Sequence, residues 1–129
     1  MNALIKFALA CAALTTSIPA MAAPAWMPYT QAGFAKAQAA GQAIVVDVHA
    51  DWCPTCKAQA PILDELRSEK RLSGVTFVRV NFDTDKAFLR DHRIPRQSTV
   101  LVFRGKRETA RSIAETRRPQ LRAAVLAGL

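Results

Sequence analysis

Apolar residues fall along this chain in short dense runs, divided by polar stretches whose own apolar positions recur three and four apart. "AIVVDVHA", from Ala43, is a β-branched run interrupted by a single acid. Such a run suits a strand buried on both faces, as in a parallel sheet flanked by helices. "VTFVRVNF" predicts a second buried strand and "STVLVF" a third, and Gly105-Lys106 makes a tight turn into a fourth, "RETARSIAE". Between them lie helical spacings. "TQAGFAKAQAAG" has Thr30 to cap its start and Gly41 to end it. From Pro54 to about Lys70, Ile62, Leu63 and Leu66 mark one inner face, with Gly74 just beyond. "DTDKAFLRDH" predicts a short helix capped by Asp83 or Thr84. After Thr116 a closing helix carries Pro119 in its first turn and Leu121, Val125, Leu126 and Leu129 at core spacing. "PAWMPY" takes no assignment.

A crossover helix between strands implies parallel neighbours, and a two-residue turn implies an antiparallel pair. The predicted fold is therefore α/β, a mixed central sheet with helices on both faces. No internal repeat, low-complexity linker or second domain interrupts it.

The first stretch does not fit that plan. Residues 1–22 run from Lys6 through "FALACAAL" to Ala20-Met21-Ala22, the basic, apolar, small-residue order of a cleaved secretory signal. The apolar run is far shorter than the ~20 residues of a spanning helix. A lipid-attachment reading of Cys11 is disfavoured, because Ala8 stands where a larger aliphatic is usual. The expectation is export to the periplasm, cleavage before Ala23, and a single domain over 23–129 with no stable membrane span.

Cleavage would also remove one of the three cysteines and leave Cys53 and Cys56. Two cysteines two residues apart close no useful loop, so they point to redox chemistry or metal binding rather than to stapling. The formal charge is +8, most of its basic residues scattered through 67–122 without aromatic interleaving or a nucleic-acid motif. A solvated basic surface is the favoured account, and a preference for acidic partners or anionic membrane surfaces is the alternative.

"DWCPTCK" joins the end of a strand to the start of a helix. Pro54 suits the first helical position, which makes Cys53 the N-cap and puts Cys56 inside the first turn. A sulfur at the N-cap meets unpaired N–H groups and the positive end of the helix dipole, and both favour the thiolate. Cys56, expected to be the less exposed, is placed to resolve a mixed disulfide on Cys53, and Lys57 adds positive potential. A zinc site would need two further ligands, and neither His49 nor His92 has ligand spacing to the pair. Haem attachment would need a histidine where Lys57 stands.

These residues resemble the thioredoxin superfamily, and the likeness runs through most of the chain after the leader. "VVDVHADWCPTCKAQAPILDEL" is similar to the family's active-site strand and helix, "FVRVNFD" to its next strand, and "STVLVFRGKRE" to its last strand pair. The "ADWC" wording is closest to the reducing, periplasmic members, and Pro54-Thr55 is a variant of the usual glycine-proline pair. The resemblance implies a thioredoxin-like three-layer sandwich. It makes Cys53 the attacking thiol and Cys56 the resolving one, with Asp47 as the buried acid that helps deprotonate Cys56. Burial would raise the Asp47 pKa toward neutrality, as its task requires. Arg79 takes the place of a family lysine and is expected to hold Asp47 more strongly ionised. Trp52 matches a tryptophan that shields the cysteines and contacts substrate, and Pro61 matches a helix-bending proline. His49 replaces a frequent aromatic, as a packing residue or a tuner of the pair.

One departure concerns the proline, in cis, that precedes the strand facing the cysteines. A gapless fit puts Ser98 there, with Thr99 beside it as a substrate-docking position. Pro95 reaches the place only if the loop is longer. Since a non-proline peptide rarely stays cis, Ser98 implies a trans or strained bond.

The resulting expectation is thiol-disulfide exchange on protein disulfides or dithiols, by a monomer with no cofactor and no metal ligands assigned. A redox partner protein would reset the pair. The competing expectation is a metal- or partner-binding module using the two cysteines as ligands with Ser98 or His49.

Overall fold

The computed structural model describes residues 17–19 and 23–129. The expected leader, 1–22, otherwise lies outside the described residues. A five-stranded sheet runs through the protein in the order β1-β3-β2-β4-β5. Its strands are β1 (Met27–Pro28), β2 (Ala43–His49), β3 (Thr76–Asn81), β4 (Thr99–Arg104) and β5 (Arg107–Ile113). β3 is parallel to both of its neighbours, whereas β4 is antiparallel to β2 and β5. The helices are α1 (Gln31–Ala39), α2 (Pro54–Ser68), α3 (Lys86–Asp91) and α4 (Arg118–Gly128).

The strand pleat sorts the core into two layers. Ile44, Val46 and Val48 of β2 turn to one face, where Phe34 of α1 and Phe88 of α3 pack. Val45 turns to the other face, against Ile62, Leu63 and Leu66 of α2 and Leu121 and Val125 of α4. The same parity sends Asp47 and His49 toward the α2 face. Pleat and register thus position the site.

Several boundaries differ from expectation for local reasons. "PAWMPY" supplies β1, a two-residue edge strand that pairs Met27 with Val78 and Pro28 with Arg79. α2 stops at Ser68, and a 3-10 turn at Lys70–Leu72 precedes β3. α3 starts at Lys86 with Asp85 at its cap position, not Asp83 or Thr84. The Asp85 carboxylate is engaged in the preceding turn, where it accepts from the Asn81 amide at 2.7 Å. β5 ends at Ile113, just before Ala114 turns to φ 56°. Thr30 does cap α1, accepting from the Gly33 amide at 3.0 Å, and Gly41 follows α1 at φ 71°.

Gly128 closes α4 against the sheet with no room for a side chain. A Cβ there would lie 2.7 Å from Val102 Cβ and 2.8 Å from Ala110 Cβ. Gly128→Ala is therefore expected to destabilise the protein by about 1–3 kcal/mol, the usual cost of overpacking, read as a lower thermal midpoint. An unchanged midpoint would mean that α4 shifts freely on the sheet.

Candidate active site

Cys53 is the N-cap of α2, with extended backbone (φ −85°, ψ 112°) and Pro54 in the first turn. Its Sγ accepts the Cys56 amide at 3.0 Å. Both cysteines are free thiols packed with Ala50 against Phe82. The expected difference in exposure is absent: Cys53 is 0 % exposed and Cys56 2 %. The segment around Ser98 folds over the pair, and local spacing carries no trace of that cover. The two thiols nevertheless differ electrostatically. Burial pushes the Cys53 thiol up, but hydrogen bonds from Cys56, Ser98 and Gln97 outweigh it and hold the pKa below the ordinary value. For Cys56, burial and the bond it gives Cys53 push the pKa up. One thiol is readied as a thiolate; the other keeps its proton.

Ser98 faces both sulfurs, its Oγ 3.4 Å from Cys53 Sγ and 3.7 Å from Cys56 Sγ. It is fully buried at φ 64°, a left-handed conformation unusual for a residue with a Cβ. Its amide donates to Val48 O at 2.8 Å, and its carbonyl accepts from Ala114 N at 3.0 Å and Gln59 Nε2 at 3.1 Å. No peptide bond among the described residues is cis. Pro95 is exposed, so Ser98 occupies the place opposite the cysteines through a trans bond. Thr99 is buried, and its hydroxyl donates to Arg96 O at 2.8 Å. Its pleat parity faces the α1 layer, away from the pair.

Gln59 escaped the sequence reading. It is fully buried on α2, and its amide nitrogen joins Ser98 O to Glu115 O, at 3.1 and 3.0 Å. The available signal was a polar residue three after Cys56, in line with Ile62, Leu63 and Leu66 on an apolar face. Trp52 is 56 % exposed and donates from Nε1 to Asp83 Oδ2 at 2.9 Å, with its ring edge-on to Phe82. Thr55 is half-buried, whereas Pro54, Lys57 and Pro61 lie on the exposed side of α2.

Asp47 is almost wholly buried on β2. Register sets Arg79 directly beside it on β3, and Arg79 Nε reaches Asp47 Oδ2 at 3.2 Å. Arg79 lies over the Trp26 ring at 4.4 Å, and Trp26 Nε1 donates to Asp64 at 3.0 Å. Asp47 Oδ1 has no hydrogen-bond partner. Burial raises the Asp47 pKa, and the opposing pull of Arg79 and His49 does not cancel it. Both expected influences on this acid are present: Arg79 pulls the pKa down, but its guanidinium is partly solvated, and desolvation of the carboxylate is the larger effect. Among the described residues, no three His, Cys, Asp or Glu side chains are grouped to hold a metal ion.

The thioredoxin family pattern matches residues 26–127. The chain is 30 % identical over 99 residues to a thioredoxin of Alicyclobacillus acidocaldarius, covering 77 % of this chain and 93 % of that protein. It is also 30 % identical over 80 residues to the bifunctional thioredoxin reductase/thioredoxin of Mycobacterium leprae, of whose length it spans 17 %. Among solved structures, Trxlp from Edwardsiella tarda EIB202 is 44 % identical, with a TM-score of 0.70 over 73 % of this chain and 91 % of that one. With Cys53 and Cys56 spaced and seated as a redox pair, this chain belongs to the thioredoxin family of thiol-disulfide oxidoreductases.

Proposed function

We infer that the protein works as an exported reductase of protein disulfides. The observation that carries this reading is the split within the cysteine pair, an acidified Cys53 at the helix start beside a Cys56 that retains its proton. The Cys53 thiolate attacks one sulfur of a substrate disulfide, forming a mixed disulfide and releasing the first substrate sulfur as a thiolate. Cys56 passes its proton toward Asp47 and attacks Cys53 Sγ. The mixed disulfide breaks, the second substrate sulfur leaves, and Cys53 and Cys56 end joined. Two electrons pass to the substrate, and a reductant protein must return them. Asp47 serves the resolving step as its proton acceptor, and the likeness of the "ADWC" wording to reducing members supports this direction. Export is supported by the basic, apolar, small-residue order of residues 1–22. No helix among the described residues is long and apolar enough to cross a membrane.

The test expresses the full chain, locates it by cell fractionation, and assays the purified protein on insulin with a dithiol reductant. Periplasmic recovery of a shortened chain that speeds insulin reduction is the expected result. Retention in the cytoplasm at full length would overturn export. Inertness toward insulin together with stoichiometric zinc or copper would favour the binding module.

A further inference from the structure

The buried acid has no obvious way to return its proton to water. Asp47 is enclosed, and one oxygen has no partner. His49, two residues on along β2 and on the same face, bridges that gap. Its Nδ1 lies 3.7 Å from Asp47 Oδ2, just beyond hydrogen-bond reach and without another partner. Its Nε2 lies 3.3 Å from Asp51 Oδ1, on a fully exposed side chain. A cavity of about 380 Å³ opens beside the ring, lined among others by Trp26, Tyr29, Arg79, Asn81 and Asp85, and neither cysteine lines it.

We propose that His49 is the proton relay of this site, carrying the proton that Asp47 takes from Cys56 to the exposed carboxylate of Asp51. The inference rests on Asp47 being the proton acceptor of the resolving step. With its ring proton on Nε2, neutral His49 accepts the Asp47 proton at Nδ1 and gives up the Nε2 proton to Asp51 and then to water. Exchange with solvent through the cavity resets the tautomer. The proton count balances, and no electrons move in this part of the cycle. His49 acts through Asp47 and touches neither sulfur, so its role is positioning and transfer rather than attack. The charged and titratable groups around it are Asp47 on its own strand, Arg79 on β3, Asp51 beyond β2, Tyr29 after β1 and Asp85 ahead of α3. Arg79 pairs with Asp47 and Asp85 with the Asn81 amide, so Asp51 is the acceptor left facing the ring.

Reaction with an aromatic disulfide such as dithionitrobenzoate separates the steps, since attack by Cys53 and resolution by Cys56 each release one coloured thiolate. His49→Ala is expected to leave the first phase unchanged, because His49 touches neither sulfur. The second should slow at least about tenfold, less than the roughly 10²-fold lower end of what a positioned acid or base contributes, because His49 acts through Asp47. Free imidazole, which fits the enlarged cavity, should restore it in proportion to its concentration. His49→Gln, which keeps a polar side chain of similar reach, should be as slow as His49→Ala. A second phase equal to wild type in both variants would overturn the relay, as would a slow phase indifferent to imidazole and buffer. Asp47→Asn run in parallel separates the two readings. If it slows resolution while the His49 variants do not, only the relay falls; if it leaves resolution unchanged, the acid's role and the relay fall together.

Discussion

Serine in place of Cys53 is expected to reduce disulfide reduction to the uncatalysed rate, whereas serine in place of Cys56 leaves a protein that attacks once and stays bound. The asymmetry follows from the seating of the two sulfurs. Cys53 accepts the Cys56 amide at 3.0 Å and has Ser98 Oγ at 3.4 Å. A thiolate held this way is more populated at neutral pH than that of a free cysteine, which is mostly protonated there. A serine hydroxyl takes the same hydrogen bonds but forms no disulfide. In Cys56→Ser the attacking sulfur is intact and the resolving one is gone, so the mixed disulfide accumulates. Mass spectrometry of the variants after exposure to a disulfide peptide reads this directly. An adduct on Cys53→Ser, or none on Cys56→Ser, would reverse the assignment. Because Cys53 is fully covered, attack also requires the segment around Ser98 to yield to the substrate. Large folded substrates should therefore react more slowly than small flexible ones.

Asp47→Asn is expected to stabilise the protein at neutral and alkaline pH while slowing its chemistry. The folded-state pKa of Asp47 is raised by burial, so the folded protein holds this proton more tightly than the unfolded chain does. The resulting stability is complete below the ordinary carboxylate range and is lost as pH rises through the folded pKa. Above that pH the wild type carries a charge that has lost its water and is only partly compensated by Arg79, about one third exposed, and His49. Asparagine removes the charge at nearly constant volume. Urea titrations across a pH series should show near-equal stabilities at low pH and a gap of about 1–3 kcal/mol in favour of the variant at high pH, the usual cost of an unsatisfied buried group. A gap that reversed sign as pH rose would mean that the ion pair with Arg79 outweighs desolvation. Over the same range turnover should fall by roughly 10²-fold, the lower end of what a proton acceptor contributes.

Much of this was legible beforehand. The four main strands, the four helices and the mixed sheet follow from the β-branched runs, the i, i+3, i+4 spacings and the Gly105 turn. The errors cluster at caps and edges. Asp83 and Thr84 read as caps, but Asp83 holds Trp52, and Asp85, which stands at the cap position, spends its carboxylate on the Asn81 amide. Which neighbour wins an aspartate depends on a turn that forms only once β3 is in place. β1 was invisible, since two residues carry no period.

By itself the amino-acid order determined the thiol chemistry at residue 53. Proline at the next position fixes a helix start, and a sulfur at that start meets free amides wherever the helix is placed. It also determined that Asp47 would be buried, because a β-branched run on either side leaves no solvated face. Only the folded tertiary structure decided how that acid behaves. Arg79 and His49 reach it, and Ser98, its carbonyl held by Gln59, reaches the sulfurs, from other elements or along the pleat, through register and backbone turns spanning up to some 45 residues. Such contacts arise from the packing of whole elements, which no short window of sequence encodes. For the same reason the cover over Cys53, and the histidine that joins a buried acid to water, became visible only in three dimensions.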